Sequence, residues 1–201
     1  GSRWNCKQSK SRRQKRCSLM FKYLYIFFVF FFYTNSNANN KENIINNLKN
    51  INNFNFDFEQ NINTKIEKGN CIIEYPKKIY CEYEGGNNKI LVSNGKSLVI
   101  KTMVSYYRYP LDKTPLNLIL DKKFLINQLY DLEERMIDNS LINYTINKNN
   151  YEINVFFDNR TFNLVGWQTK DMFQNLNITF LSSIKKNELF DKSIFKLPSQ
   201  N

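Results

Sequence analysis

The 201-residue chain contains no histidine. That absence removes the commonest general base and any Ser-His-Asp or Cys-His arrangement. Cysteine is scarce too: of the four, Cys6 and Cys17 fall in a basic N-terminal stretch, leaving only Cys71 and Cys81 in the body of the chain. Two thiols without histidine leave a zinc ion short of ligands, so no metal is expected. With only six glycines, the chain has no Gly-x-Ser-x-Gly elbow, no phosphate-binding loop and no dinucleotide fingerprint. Glu133-Glu134 and the Glu82/Glu84 pair lie in polar settings that fit solvated charge better than paired acid–base work. The expectation is a protein that is not an enzyme and uses no cofactor.

Acidic charge is missing from the N-terminus. The formal net charge is +11, yet residues 1–38 hold eight Lys/Arg and no acid, leaving 21 basic against 18 acidic side chains beyond them. The basic balance therefore belongs to the leader, and no nucleic-acid partner is expected. Met20 precedes an apolar run of eleven residues, Tyr23–Tyr33, followed by Thr34-Asn35-Ser36-Asn37-Ala38. A helix needs ~20 residues to cross a bilayer. The short run, its basic flank and the small residues Ser36 and Ala38 read as a secretory signal peptide over 20–38, cleaved after Ala38. A retained membrane anchor is the alternative. Residues 1–19 read as an unstructured upstream or n-region extension, and 39–201 as a single domain. No cysteine follows the apolar run closely, so the mature protein is expected to be exported and unacylated.

What is present is hydrophobic periodicity. Ile44, Ile45, Leu48 and Ile51 recur at helical spacing over 41–53. From Phe54 the period becomes two, with Phe54, Phe56, Phe58, Gln60, Ile62, Thr64 and Ile66 on one side, which predicts one long antiparallel strand. Four strands follow over 69–101, separated by turn signals at Pro76-Lys77-Lys78, Gly85-Gly86-Asn87-Asn88 and Asn94-Gly95. Folding the first hairpin about Pro76 sets Ile73 opposite Ile79 and Cys71 opposite Cys81. Directly opposed Cβ atoms lie about 4.5–5.5 Å apart, at or slightly beyond disulfide range, so the pair is a disulfide or two buried free thiols. Residues 103–121 break the pattern, with a short helix expected from Pro115. A second helix is expected over 124–137, with Leu125, Leu129, Leu132 and Met136 on one side. Strands are expected over 141–146, 151–157, 161–169, 174–181 and 193–197. Periodicity alone supports an antiparallel sheet plus helices.

The order of short motifs adds to this. Gly69, Pro76 and Tyr83 are spaced seven apart, followed by Ile90–Leu98 (ILVSNGKSL) and Thr114–Leu120 (TPLNLIL). Phe58-x-Gln60 precedes them, and Leu164-x-Gly166-Trp167, Asp171 and Phe195-x-Leu197-Pro198 follow. Together these resemble the periplasmic outer-membrane lipoprotein carrier (LolA) family over most of 40–198. The resemblance implies a mainly β fold with α: an unclosed antiparallel β half-barrel wrapping short helices that form a lid over a hydrophobic cavity. It also implies a periplasmic chaperone that binds acyl chains of lipoproteins released from the inner membrane and delivers them to the outer membrane. The implied partners are acylated lipoproteins, an inner-membrane ABC-type release complex and an outer-membrane acceptor, with the carrier a monomer. The alternative is a periplasmic sensor or structural domain of the same fold that binds protein or another amphiphile.

A sheet wrapped around few helices leaves apolar interior that protein does not fill. The residues expected to line it are Phe56, Phe58, Ile73, Ile79, Tyr83, Val92, Ile100, Leu116, Leu120, Ile153, Val155 and Trp167. The chain departs from the family at one place. Where the family pattern is Arg-Pro-x-x-Phe/Leu-x-Trp, this sequence has Tyr75-Pro76-Lys77-Lys78-Ile79-Tyr80-Cys81. Tyr75 thus takes the position of the lid-fastening arginine and is the expected lid contact.

Overall fold

A computed structural model describes residues 40–148, 150–170 and 174–200. The expected signal peptide, its expected cleavage site and the upstream extension lie outside the described residues, as does Asp171. Helix α1 (Asn40–Asn50) turns Ile44, Ile45 and Leu48 inward, as the spacing predicts. Eleven strands follow in one sheet: β1 (Asn53–Ile62), β2 (Lys65–Glu74), β3 (Lys78–Tyr83), β4 (Ile90–Asn94), β5 (Ser97–Lys101), β6 (Tyr106–Pro110), β7 (Arg135–Ile137), β8 (Leu141–Lys148), β9 (Tyr151–Asp158), β10 (Leu164–Lys170) and β11 (Leu176–Lys186). Between β6 and β7 come a 3-10 turn (Leu111–Lys113) and two helices, α2 (Leu116–Ile119) and α3 (Lys122–Asp131).

The strand order is β6-β5-β4-β3-β2-β1-β11-β10-β9-β8-β7, and every neighbouring pair is antiparallel. β6 and β7 are free edges, so the sheet is unclosed. Inward residues from both of its halves, such as Ile79 on β3 and Ile153 on β9, share one core cluster with α1, α2 and α3. One cluster reaching both halves means that the sheet curves around the helices, the half-barrel that the motifs imply. No helix among the described residues is long and apolar enough to cross a membrane.

Several local expectations change. The long strand from Phe54 is two strands, because Asn63-Thr64 forms a tight turn with Asn63 at φ 58°. Asparagine adopts the left-handed region more readily than other non-glycine residues, so the turn forms without glycine or proline to announce it. The second helix ends at Asp131 rather than continuing to Ile137, and Met136 sits exposed on β7. Its start is set by Asp121, whose carboxylate accepts from the Phe124 amide at 3.0 Å. β6 lies where only irregular chain is expected, and the last expected strand is a 3-10 turn (Lys192–Phe195) capped by Asp191.

The Pro76 hairpin has the expected register: Ile73 faces Ile79, and Cys71 faces Cys81. The two sulfurs are bonded, with Cα atoms 4.1 Å apart. Beside them Gly69 has no room for a side chain. A Cβ there would collide with the Glu82 carbonyl oxygen and come within 2.8 Å of the Phe58 ring.

Candidate functional site

Inward residues of β1, β2, β3, β4, β5, β10 and β11 and the segment 114–119 border an apolar cavity of about 180 Å³. Phe58, Ile79, Leu98, Trp167 and the Cys71–Cys81 bridge line it. Phe58 is held edge-on against Tyr83, ring centroids 4.9 Å apart, and Trp167 meets Phe56 edge-on at 6.3 Å. Pro115, Leu116 and Ile119 form the roof. Proline at the N-terminus of α2 has no amide proton to leave unsatisfied, which suits a four-residue helix.

A belt of polar side chains also borders the cavity. The Gln60 amide donates to Asn177 Oδ1 at 2.9 Å and to Thr179 Oγ1 at 3.2 Å, and the Tyr83 hydroxyl donates to Gln60 Oε1 at 3.4 Å. Burial first, and the nearby Glu67 carboxylate second, push the Tyr83 hydroxyl's pKa well above the ordinary tyrosine value, so it remains a neutral donor. The lining is thus mostly apolar with a few polar groups.

Five of the twelve expected lining residues border the cavity: Phe58, Ile79, Tyr83, Leu116 and Trp167. Phe56, Ile73, Leu120, Ile153 and Val155 are packed in the solid core instead. Val92 faces the other side of the sheet: its cross-strand partner is Val99, whereas Leu91 shares the inward face with Cys81. That outer surface of β3 and β4 meets the C-terminal 3-10 turn carrying buried Phe195. Ile100 pairs with Leu91 but is half-exposed and outside the cavity. Sequence reasoning missed Leu91, Leu98, Ile119 and the polar belt. The alternation of β3, carried across β4 to β5, would have picked Leu91 and Leu98 over Val92 and Val99, had the register across the loop of residues 84–89 been known.

Tyr75 makes no polar contact with the roof. Its hydroxyl is fully buried and has no hydrogen-bond partner among the described residues. Burial alone drives its pKa far up. The ring packs 6.0 Å from Phe54, with the Lys122 ammonium 5.6 Å from its centroid. The roof is tied two residues further on: the Lys77 amide donates to the Leu120 carbonyl at 2.9 Å, and the Lys77 ammonium lies 3.3 Å from Asp121. The side chain at position 75 points into the core, and the turn after Pro76 brings Lys77 to the helices.

Residues 49–198 match the family model described as outer membrane lipoprotein carrier protein LolA. The chain belongs to this family. The LolA match takes in every strand, α2, α3 and the whole cavity. Among solved structures, a LolA superfamily protein from Nitrosomonas europaea is similar at 9% identity and TM-score 0.41, covering 78% of this chain and 97% of that one. MucB is similar at 11% identity and TM-score 0.45, over 83% of this chain and 64% of MucB. PNGF-II is similar at 12% identity and TM-score 0.35, over 72% of this chain, which spans only 29% of PNGF-II. No curated protein matches the sequence.

Proposed function

We propose that this LolA-family protein is an exported, monomeric carrier that holds acyl chains in the roofed cavity and hands them on. Its cargo is then an acylated lipoprotein, taken from an inner-membrane ABC-type release complex and passed to an outer-membrane acceptor, with residues 20–38 directing export. One observation carries the reading: an apolar cavity bounded by Phe58, Ile79, Leu98 and Trp167, bordered by a polar belt, lies under a roof held by few polar ties. Such a cavity attracts hydrocarbon because burying each methylene yields about 0.8 kcal/mol relative to water.

Size decides how the carrier would load. An apolar cavity of ~150 Å³ accepts one benzene molecule, so about 180 Å³ accepts a segment of one chain. Several long chains require the roof, Pro115–Ile119, to lift away from Phe58 and Trp167. The described form, with room for one chain segment, is then the unloaded one. The test is to incubate the protein with inner-membrane vesicles bearing a triacylated lipoprotein and an active release complex. A soluble one-to-one complex is the expected product. If no lipoprotein is released and no apolar fluorescent probe binds either, the carrier reading falls.

A further inference from the structure

Tyr83 borders two cavities. One is the apolar chamber; the other is a largely polar basin of about 490 Å³ lined by Lys65, Ile66, Glu67, Lys68, Glu84, Lys89 and the chain at Gly85 and Asn87. The Tyr83 ring is therefore a partition with hydrocarbon on one side and charge on the other. The Lys89 ammonium stands 3.9 Å from the ring centroid, within cation–π range. It also donates to Glu67 at 2.5 Å, and Lys65 donates to the same carboxylate at 2.6 Å.

This is more than a chance surface ion pair. The Glu67 side chain is 11% exposed and that of Lys89 22% exposed, while Lys65 reaches in from the surface with its side chain 70% exposed. Glu67 and Lys89, withdrawn from water this far, are stable as charges because each has a fixed partner in the other. Burial alone would raise the Glu67 pKa, but the bonds from Lys65 and Lys89 outweigh it and hold the carboxyl below its ordinary value. One carboxylate thus holds two ammonium groups side by side, leaving this triad with a net positive charge at the doorway of an apolar chamber. Lys68 adds a third ammonium but is committed to Glu59 at 2.9 Å, and Glu84 is the other acid of the basin. Gly85 and Gly86 leave open space where side chains would stand.

We propose that this basin is a head-group site, and that the ligand it takes is an amphiphile with an anionic head, a phosphate or a carboxylate, whose chain lies beyond Tyr83. Lys65 and Lys89 each have ammonium protons left after serving Glu67, and both can turn toward a second anion. Glu67 orients them and does not bind the ligand. A cationic head meets two ammonium groups and is rejected; an uncharged head gains no charge-assisted bond. The proposal rests on the acyl-binding reading of the apolar chamber alone and not on the lipoprotein cargo, whose acylated cysteine carries no anionic head.

The test is calorimetric titration of the full chain with four ten-carbon probes at low salt: decyl phosphate, decanoate, decanol and decyltrimethylammonium. Both anions are expected to bind at least tenfold more tightly than decanol, with the ammonium probe weakest. A further gain for decyl phosphate over decanoate assigns the head to a phosphate, and equal affinities show that a carboxylate suffices. In Lys89→Gln the anion-to-decanol ratio is expected to fall towards one, whereas Lys96→Gln, on the exposed turn before β5, keeps it at the wild-type value. Because the readout is a ratio within one variant, a partly unfolded sample does not imitate the effect. The head-group site is overturned if decanol binds as tightly as the anions, or if the preference survives in the Lys65→Gln/Lys89→Gln double variant. Failure of all four probes to bind overturns the acyl-binding reading as well, so the two failures are distinguishable.

Discussion

The amide of Lys77 and the carbonyl of Leu120 are joined by a hydrogen bond of 2.9 Å, and this bond ties the β2–β3 turn to the roof of the cavity. The Lys77 side chain adds an ion pair to Asp121 at 3.3 Å, with both groups about a third exposed. Screening limits such a pair to about 0–1 kcal/mol. Lys77→Ala keeps the backbone bond and loses the ion pair. Hydrogen exchange at Leu118 and Ile119 should accelerate by up to about fivefold, with exchange in the β8–β9 hairpin unchanged. Unaltered exchange at the roof would remove Lys77 from its control.

The Cys71–Cys81 bridge closes a short loop in the wall of the same cavity. The chain-entropy relation gives about 2.7 kcal/mol for a loop of this size. Reduction, or the Cys71→Ser/Cys81→Ser pair, should lower the unfolding free energy by roughly 2–3 kcal/mol, read from the denaturant midpoint at constant slope. Alkylation of the unreduced native chain should label no thiol beyond Cys6 and Cys17. Labelling of Cys71 or Cys81 under those conditions would contradict the bridge.

Leu116 hangs from the roof into the cavity and is half-buried there. A carboxylate at this position would face Phe58, Ile79 and Trp167 without a cation, an uncompensated burial. Leu116→Glu should therefore weaken binding of an apolar fluorescent probe at least tenfold while circular dichroism stays native. Leu189→Gln, on a fully exposed loop, is the control and should bind as wild type. Equal probe binding by Leu116→Glu would place the chain somewhere other than beneath the roof.

Two carboxylates tie stability to pH. Burial pushes both Glu67 and Glu74 upward, but bonds from Lys65 and Lys89 to the first, and from Lys192 and Lys78 to the second, bring each below its ordinary value of 4.5. A group whose pKa is lower folded than unfolded contributes stability above the unfolded value and loses it as pH falls through the folded one. Unfolding free energy should accordingly be flat at neutral pH and decline as pH drops below about 4.5. Glu67→Gln should shallow that acid slope. An unchanged slope would mean that the Lys65–Glu67–Lys89 triad is not formed in solution.

Local chemistry was written in the sequence wherever an interaction is short-range. Proline at 76 and the alternation around it placed Cys71 against Cys81 with no knowledge of the rest of the sheet, because a hairpin's register is set by its own turn. The apolar spacing of Ile44, Ile45 and Leu48 gave α1, and Pro115 gave the start of the roof helix. The motif order from Gly69 to Pro198 carried the family, and with it the unclosed antiparallel sheet with its short helices. Other features depended on distant partners. Alternation runs unbroken through Asn63, yet the chain turns there and β1 pairs with both β2 and β11. Leu132 and Met136 continue a helical stripe, yet Arg135–Ile137 pairs with β8 and ends it. Valine and leucine alternate in β4 and β5 on two faces that are both buried, one by the helices and one by the Phe195 turn. Composition therefore could not tell Leu91 from Val92 as the inward residue. The same holds for Tyr75 and Lys77: their positions beside Pro76 are local, but which one makes polar contact with the helices was decided by how the sheet curves to meet α2 and α3.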